Sequence, residues 1–274
     1  MKTIGATSVF KIYICSMTLN YKNISINYTV KGQGKVLVLL HGFLETIDMW
    51  TDFVPELSKT RKVICIDLLG HGKTECLGYI HSMDDMAEAV FAVLKHLQIE
   101  EISCVGHSMG GYVALALAEK HPNLVNDLCL MNSTFEADDN ERKILRARAA
   151  QMATTNYESL VRMSFVNLFA PESKVPFASE IKKALDIGLK TPVQGFIAGH
   201  KGMAIRPNRY DVFKSINGKK VIIIGEKDWI VDKELVLKKT KNTDIETVIF
   251  SEGHMSHIEN KKELSYFLKR FVEK

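Results

Sequence analysis

Ser108 stands at the centre of a Gly-x-Ser-x-Gly pattern, with Gly106 before it and Gly110 after it. A strand-like run at residues 102–105 precedes the pattern, and a run rich in Ala and Leu follows at residues 112–118. This order predicts a buried strand, a sharp turn and a buried helix, with glycines where strand and helix cross too closely for side chains. A serine at the apex of such a turn exposes its hydroxyl at the start of a helix, so the pattern predicts a nucleophile.

Asp228 and His254 are the candidates for activating this serine. A serine hydroxyl is a weak nucleophile at neutral pH, so it needs an adjacent base, and that base needs an acid to orient it. Loops that follow the strands of an open parallel sheet share one edge, so residues directly after strands can meet. Asp228 follows an apolar run at residues 221–224, and His254 follows a predicted strand at residues 245–250. Together with Ser108 they occur in the chain order serine, acid, histidine that is expected for this turn.

Neighbouring residues could take the roles of acid and base. Asp211 and Asp232 are alternative acids, and His257 lies three residues after His254. Of the two histidines, only His254 directly follows the glycine after the last predicted strand. Because they directly follow predicted strands, Asp228 is the expected acid and His254 the expected base of a catalytic triad, with Asp211, Asp232 and His257 as alternatives.

Short apolar runs alternate with helical patterns along most of the chain. A hairpin is predicted at residues 18–30, and the later runs have the continuous apolar character of parallel strands that are covered on both faces. These later strands are predicted at residues 36–40, 63–66, 102–105, 128–131, 221–224 and 245–250. The alternation predicts an α/β fold with a mainly parallel sheet.

The alternation is interrupted between residues 135 and 213, where helical patterns occur without a buried-strand run. Helices are predicted there at residues 141–153, 157–169, 179–189 and 193–204, and prolines separate them. Because this segment carries many Leu, Phe and Met residues, we interpret residues 135–213 as an all-helical insertion. The α/β core then consists of residues 18–134 and 214–274, and residues 1–17 are predicted to be a disordered N-terminal extension.

Composition and charge exclude several classes of protein. The 274 residues fit one large α/β domain or a domain with an insertion, and 36 basic and 32 acidic residues give a net charge of +4. This weak, dispersed charge argues against nucleic acid as a partner. The sequence has no zinc-type Cys/His spacing and no phosphate-binding loop, so no metal and no organic cofactor is predicted. No run of 18 apolar residues is long enough to span a membrane.

The cysteines favour a cytoplasmic protein. There are five of them, and an odd number without paired spacing is typical of a reducing compartment. The mildly apolar N-terminus imitates a secretion signal, but Lys11 interrupts it and no clear cleavage site follows. Secretion is the alternative, and a monomer or a homodimer fits the sequence.

In combination, these motifs resemble the α/β-hydrolases of the small capped esterase type, over roughly residues 19–272. The segments that carry the resemblance are His41-Gly42-Phe43, Asp67-Leu68-Leu69-Gly70-His71-Gly72-Lys73-Thr74, Gly106-His107-Ser108-Met109-Gly110-Gly111, Gly225-Glu226-Lys227-Asp228 and Gly253-His254. The resemblance implies an eight-stranded, mostly parallel sheet with helices on both faces. It also implies that the helical insertion covers the serine as a cap. It places the base at the histidine after the glycine that follows the last strand, which is His254, and leaves His257 a structural role.

The resemblance also implies how an acyl group is processed. Ser108 attacks an acyl carbonyl, and the backbone N–H groups of Phe43 and Met109 form the oxyanion hole, the latter at the start of a helix. The predicted substrate is a small-molecule carboxylic ester or other acyl compound with a small or medium acyl chain. The side chains that are candidates for its apolar pocket wall are Phe43, Met109, Phe135, Met152, Phe165, Phe169, Met203 and Trp229.

Other activities use much the same three residues. Hydrolysis of C–C bonds, thioester cleavage and acyl transfer are alternatives, and so is a ligand receptor or signalling protein with slow turnover. Related hydrolases that open epoxides or remove halide use an aspartate nucleophile, and the serine at position 108 argues against both reactions.

Overall fold

Eight strands form one sheet within residues 16–273, the part of the chain that the computed structural model describes. The strands are β1 (Ser16–Tyr21), β2 (Ile24–Lys31), β3 (Val36–Leu40), β4 (Lys62–Ile66), β5 (Ile102–His107), β6 (Val125–Met131), β7 (Lys220–Gly225) and β8 (Glu246–Phe250). Their spatial order is β1-β2-β4-β3-β5-β6-β7-β8. Only the β1–β2 and β2–β4 pairs are antiparallel, so the predicted eight-stranded, mostly parallel sheet is confirmed.

The helices lie between the strands and after the last one. They are α1 (Val54–Leu57), α2 (Met83–His96), α3 (Met109–Lys120), α4 (Asn140–Val166), α5 (Ala178–Gly188), α6 (Val193–Ala204), α7 (Tyr210–Ser215), α8 (Lys233–Thr240), α9 (Ser256–Glu259) and α10 (Lys261–Val272). Two short 3-10 turns occur at Ile47–Trp50 and Pro171–Ser173. Ser82 caps the start of α2, because its hydroxyl accepts a hydrogen bond from the N–H of Asp85 at 3.0 Å.

Helices cover both faces of the sheet, which explains the continuous apolar runs of its central strands. Successive side chains of a strand point to opposite faces. In β3, Val38 belongs to the core cluster that contains the apolar side chains of α2 and α3. The next residue, Leu39, belongs to the opposite cluster, which contains Leu264 and Leu268 of α10. A polar residue on either face of this strand would therefore be buried.

Between β6 and β7, all the regular secondary structure is helical, and this segment packs on the edge of the sheet. The helix α4 contains one non-helical residue, Asn156, with φ −132° and ψ 39°, and the two predicted helices 141–153 and 157–169 separate there. The short α7 was not predicted. Phe165 of α4 and Phe196 of α6 share a cluster with Leu44 and Met255, which lie in loops after β3 and β8. These contacts hold the insertion against the carboxyl edge of the sheet.

The predicted N-terminal extension has a different boundary. Residues 1–15 lie outside the described part of the chain, but Ser16 and Met17 already belong to β1 and pair with β2. Among the described helices, none combines the length and the apolar character that crossing a membrane requires.

Candidate active site

Ser108 joins β5 directly to α3 through an unusual backbone conformation. Its φ of +48° and ψ of −115° lie outside the regions that residues other than glycine ordinarily adopt. A Cβ atom on Gly106 would lie 2.4 Å from the carbonyl oxygen of Gly110, and one on Gly110 would lie 2.5 Å from that of Leu40. Glycine is therefore required where β5, α3 and the end of β3 meet, as the pattern predicts.

The side chains of Ser108, His254 and Asp228 are joined by hydrogen bonds. Nε2 of His254 lies 2.9 Å from Oγ of Ser108, and its Nδ1 lies 2.8 Å from Oδ2 of Asp228. A carboxylate only accepts, so Nδ1 donates to Asp228 and Nε2 is free to accept from the serine hydroxyl. The three residues follow β5, β8 and β7, and the parallel sheet brings the ends of these strands together at one edge.

Asp228 is buried and surrounded by donors. Its Oδ2 also accepts a hydrogen bond from Nδ2 of Asn132 at 3.1 Å, and its Oδ1 accepts one from the N–H of Ile230 at 2.9 Å. Burial alone would raise the pKa of the Asp228 carboxyl, but His254 and these hydrogen bonds outweigh it and lower the pKa. Asp228 is therefore ionised at neutral pH and can stabilise a charged imidazole.

The rival residues lie elsewhere. Asp232 caps α8, where its Oδ1 accepts from the N–H of Leu235 at 2.9 Å. Asp211 lies in the first turn of α7. His257 is buried, and its Nε2 lies 3.6 Å from Oε1 of Glu45. Within residues 16–273, neither aspartate is hydrogen-bonded to His254, and His257 is not hydrogen-bonded to the Ser108 hydroxyl.

Two backbone N–H groups beside Ser108 have no acceptor among the described residues. They belong to Phe43 and Met109, the two residues that the resemblance assigns to an oxyanion hole. Met109 begins α3, where the helix dipole favours an anion. The loop that carries Phe43 lies against the serine, since a Cβ on Gly42 would lie 3.2 Å from Cβ of Ser108. The environment of both N–H groups suits a developing negative charge.

A mostly apolar cavity of about 320 Å³ lies over Ser108 and His254. Four of the predicted residues line it: Phe43, Phe165, Met203 and Trp229. The wall also includes Leu44, Phe196 and Met255, which the sequence analysis did not select. A larger, more open groove of about 810 Å³ is lined by Glu45 and His257 but not by Ser108, so the smaller cavity is the candidate substrate site.

Residues 35–261 match the family model described as alpha/beta hydrolase fold. The matched segment is most of the chain and contains Ser108, Asp228 and His254. The chain belongs to the α/β hydrolase fold family. This assignment confirms the resemblance that the sequence motifs indicated.

Several known proteins are similar to this hydrolase. One is the dihydrolipoyllysine-residue acetyltransferase component of the acetoin cleaving system of Pseudomonas putida, 28% identical over 88% of this chain. The chain spans 64% of that relative's length. Another is (E)-2-((N-methylformamido)methylene)succinate hydrolase of Acinetobacter baylyi, 21% identical over 92% of this chain and 95% of the relative. An esterase structure from Thermogutta terrifontis shares the fold, with a TM-score of 0.87, 24% identity, and coverage of 94% of this chain and 98% of the other.

Three predicted pocket residues of the hydrolase do not line the cavity. Phe135 is buried in the core beneath it, with its ring centroid 4.9 Å from that of Tyr210. Met152 is 46% exposed on the outer side of α4. Phe169 is buried in the insertion, where it packs on Phe165 at 5.9 Å between ring centroids. The side chain of Met109 is also buried away from the cavity.

A second buried network lies directly behind the serine, and sequence reasoning missed it. Nδ1 of His107 lies 2.7 Å from Oε2 of Glu45, and Nε2 of His107 lies 3.0 Å from the carbonyl oxygen of His254. Burial lowers the pKa of His107, but the Glu45 carboxylate more than compensates and raises it overall. Both ring nitrogens face acceptors, an arrangement that favours the imidazolium form of His107. The only sequence signal was a histidine at the position before the nucleophile.

Glu45, His107 and His257 together offer three ligand atoms within 4.8 Å of one another, a spacing that could hold a metal ion. In this arrangement, however, the Glu45 carboxylate already pairs with the charged His107 ring. His257 is neutral, since burial lowers its pKa to about 4. The ion pair satisfies only part of the set, because Oε1 of Glu45 and Nδ1 of His257 are buried without a hydrogen-bond partner among the described residues.

Proposed function

We propose that this α/β hydrolase is a serine hydrolase that cleaves carboxylic esters with a small or medium acyl group. The observation that carries the proposal is the series of hydrogen bonds from Ser108 through His254 to Asp228, at 2.9 and 2.8 Å. A hydroxyl, a base and a buried acid in this order form the arrangement that activates serine for acyl transfer.

In the first half of the proposed reaction, Oγ of Ser108 attacks the ester carbonyl and passes its proton to Nε2 of His254. Asp228, ionised and hydrogen-bonded to Nδ1, stabilises the imidazolium. The carbonyl oxygen becomes an oxyanion and accepts hydrogen bonds from the N–H groups of Phe43 and Met109. When the C–O bond breaks, His254 returns the proton to the leaving alcohol, and the acyl group remains on Ser108.

In the second half, His254 takes a proton from water as the water attacks the acyl-enzyme carbonyl. The same N–H groups stabilise the second oxyanion. The bond to Oγ then breaks, His254 protonates Ser108, and the carboxylic acid leaves. The cycle needs only these side chains, backbone groups and water.

The size and polarity of the cavity support the substrate class. About 320 Å³ of mostly apolar space suits a short or medium acyl chain. Phe165 and Phe196 of the helical insertion form part of the wall, which supports a role for the insertion as a cap that sets acyl length.

A panel of p-nitrophenyl esters with acyl chains of two to twelve carbons tests this proposal. We expect the highest kcat/KM with short or medium chains and a loss of about 10⁴-fold or more in kcat for Ser108→Ala. A Ser251→Ala variant, at an exposed serine in the loop before His254, is the matched control and keeps full activity. Full activity in Ser108→Ala, or tight ligand binding with negligible turnover of every ester, contradicts the proposal.

Acyl transfer is a second candidate, which the similarity to an acetyltransferase component favours. In that case another hydroxyl or thiol compound replaces water in the second half of the reaction. Product analysis in the presence of a competing alcohol or thiol separates the two. Acid as the main product supports hydrolysis, whereas a new ester or thioester as the main product supports acyl transfer.

A further inference from the structure

Four polar residues of the helical insertion line the cavity over Ser108: Arg146, Ser164, Asn167 and His200. Two of them, Arg146 and His200, have a charged or titratable side chain. Arg146 comes from α4 and His200 comes from α6, and both belong to the cavity wall. Most of the remaining wall is apolar. A cation in such a wall is costly unless it has a partner, so the hydrogen bonds of Arg146 are informative.

Arg146 belongs to a cluster in which two cations share one anion. The Asp138 carboxylate is hydrogen-bonded to Nε of Arg146 and lies 2.7 Å from Nη1 of Arg206. Within residues 16–273, neither arginine forms an ion pair with a second carboxylate. The cluster therefore carries an excess positive charge at the cavity, where the side chain of Arg146 is 17% exposed and that of Arg206 only 2%.

The two arginines differ in how many of their donors are used. Nε and Nη1 of Arg206 donate to the carbonyl oxygens of Glu136 and Met203, at 3.1 and 2.9 Å. Nε and Nη2 of Arg146 both donate to Asp138, the second at 3.4 Å. Nη1 of Arg146, in contrast, contacts among the described residues only the thioether sulfur of Met203 at 3.4 Å, which is a weak acceptor. Arg146, a residue of the cavity wall, therefore keeps donor capacity on Nη1 and on the second N–H of Nη2.

His200 adds a neutral donor next to this charge. Its ring lies between the rings of Phe43 and Phe196, at 4.7 and 4.5 Å between centroids, and its Nδ1 is buried without a hydrogen-bond partner. Burial and the nearby charge of Arg146 lower the pKa of His200 to about 3. A neutral imidazole carries one N–H, which can donate a hydrogen bond to an anionic ligand.

We propose that the substrate carries a carboxylate, which binds Arg146 and His200 while its ester carbonyl faces Ser108. The proposal rests on the proposed function and names its substrate class: esters whose acyl or alcohol part bears a carboxylate. A guanidinium binds a planar carboxylate through two parallel N–H groups, which an apolar wall strengthens by excluding water. The alternative is that Arg146 has a purely structural role (a bracing role), in which its ion pair with Asp138 stabilises the packing of α4.

Two esters of matched shape test the proposal: the mono-p-nitrophenyl ester of succinic acid, which is anionic, and its methyl ester, which is neutral. We expect the wild type to prefer the anionic ester, with rates corrected for spontaneous hydrolysis. Arg146→Met should lower kcat/KM for the anionic ester by about 10- to 100-fold and change the neutral ester by less than about 3-fold. Arg146→Lys keeps the charge without the planar fork and should be intermediate.

The neutral ester also reports on folding, because Asp138 keeps its contact with Arg206 when Arg146 is replaced. Arg162→Met is the matched control, since Arg162 lies on the same helix but is 51% exposed and pairs with Glu158. Arg162→Met should change neither ester. An equal loss for both esters in Arg146→Met, or a wild-type preference for the neutral ester, overturns the carboxylate site and supports the bracing role.

A binding measurement separates failure of this inference from failure of the proposed function. If the wild type hydrolyses neither ester, the proposed esterase activity is wrong, and thermal unfolding with monomethyl succinate then decides the anion site. A rise in Tm for the wild type that Arg146→Met loses supports the site. No rise in Tm for the wild type overturns it.

Discussion

His107 and Glu45 form a buried ion pair directly behind Ser108. The carboxylate of Glu45 lies 2.7 Å from Nδ1 of His107 and also accepts a hydrogen bond from the N–H of Gly42 at 2.6 Å. The other nitrogen of His107 donates to the carbonyl oxygen of His254. The pair therefore links the loops that carry the proposed oxyanion donor, nucleophile and base. We expect it to fix the positions of these three groups relative to one another.

Replacing Glu45 with Gln tests this link. Removing one partner of a buried pair leaves the other charge uncompensated, so Glu45→Gln should lower the free energy of unfolding by about 3 kcal/mol at pH 6. Urea denaturation measures the change. Glu158→Gln, which removes an exposed ion pair on α4, is the control and should have little effect.

The effect of Glu45→Gln should depend on pH. The pKa of Glu45 is lowered from 4.5 to about 2, so its stabilising contribution is complete above 4.5 and is lost as the pH falls toward 2. The pKa of His107 is raised above 6.5, so its contribution is complete below 6.5 and is lost as the pH rises through the raised value. The difference between wild type and variant should be largest between these limits. An unchanged difference from pH 5 to pH 9 argues against the ion pair.

Asn132 is expected to position the acid. Its side chain donates to Oδ2 of Asp228 and, at 3.2 Å, to the carbonyl oxygen of Gly253. Its φ of +44° favours glycine as the replacement, because glycine keeps this backbone conformation. Asn132→Gly should lower kcat by about 10-fold with little change in KM, since the loss affects the reacting state.

Asn242 offers a matched control for that variant. It has a similar φ of +63° and is exposed on the surface between α8 and β8. Steady-state kinetics of Asn242→Gly should match the wild type. A decrease of kcat in both variants, or in neither, would show that the Asn132 side chain has no specific role.

Gly110 should not tolerate a side chain. The Cβ of Gly110→Ala would lie 2.5 Å from the backbone carbonyl oxygen of Leu40, which cannot move without disturbing β3. We expect a loss of about 2–3 kcal/mol in unfolding free energy and a large decrease in activity. At Gly78, with φ +76°, no atom lies within 4 Å of the added Cβ, so Gly78→Ala carries only backbone strain and should keep its activity. Chemical denaturation and ester hydrolysis of the two variants provide the comparison.

The strand ends explain why the sequence identified Ser108, Asp228 and His254. Each follows an apolar run whose length and composition mark a buried strand, and the parallel sheet then brings the three together. Glu45 and His107 have no such signal, because they are 62 residues apart and meet only through the neighbouring strands β3 and β5. Pair contacts of this kind depend on tertiary packing.

The apolar residues of the pocket also could not all be identified from the sequence alone. Phe135 and Phe165 are both fully buried phenylalanines, yet the first packs on Phe213 in the core and the second lines the cavity. Periodicity indicates that such residues are buried but not which neighbours bury them. The cytoplasmic location and the monomeric or dimeric state likewise stay predictions, because they do not follow from the fold of one chain.

The most direct test of Ser108 as the nucleophile is the mass of the protein during turnover. A reaction with a p-nitrophenyl ester, quenched in acid within milliseconds, should contain protein that is heavier by the mass of one acyl group. Peptide mapping should locate that group on Ser108, and His254→Ala should not accumulate it. An acyl group on another residue contradicts Ser108 as the nucleophile. So does rapid turnover by the wild type without any acylated protein, both with the first ester and with an ester whose acyl group is released slowly.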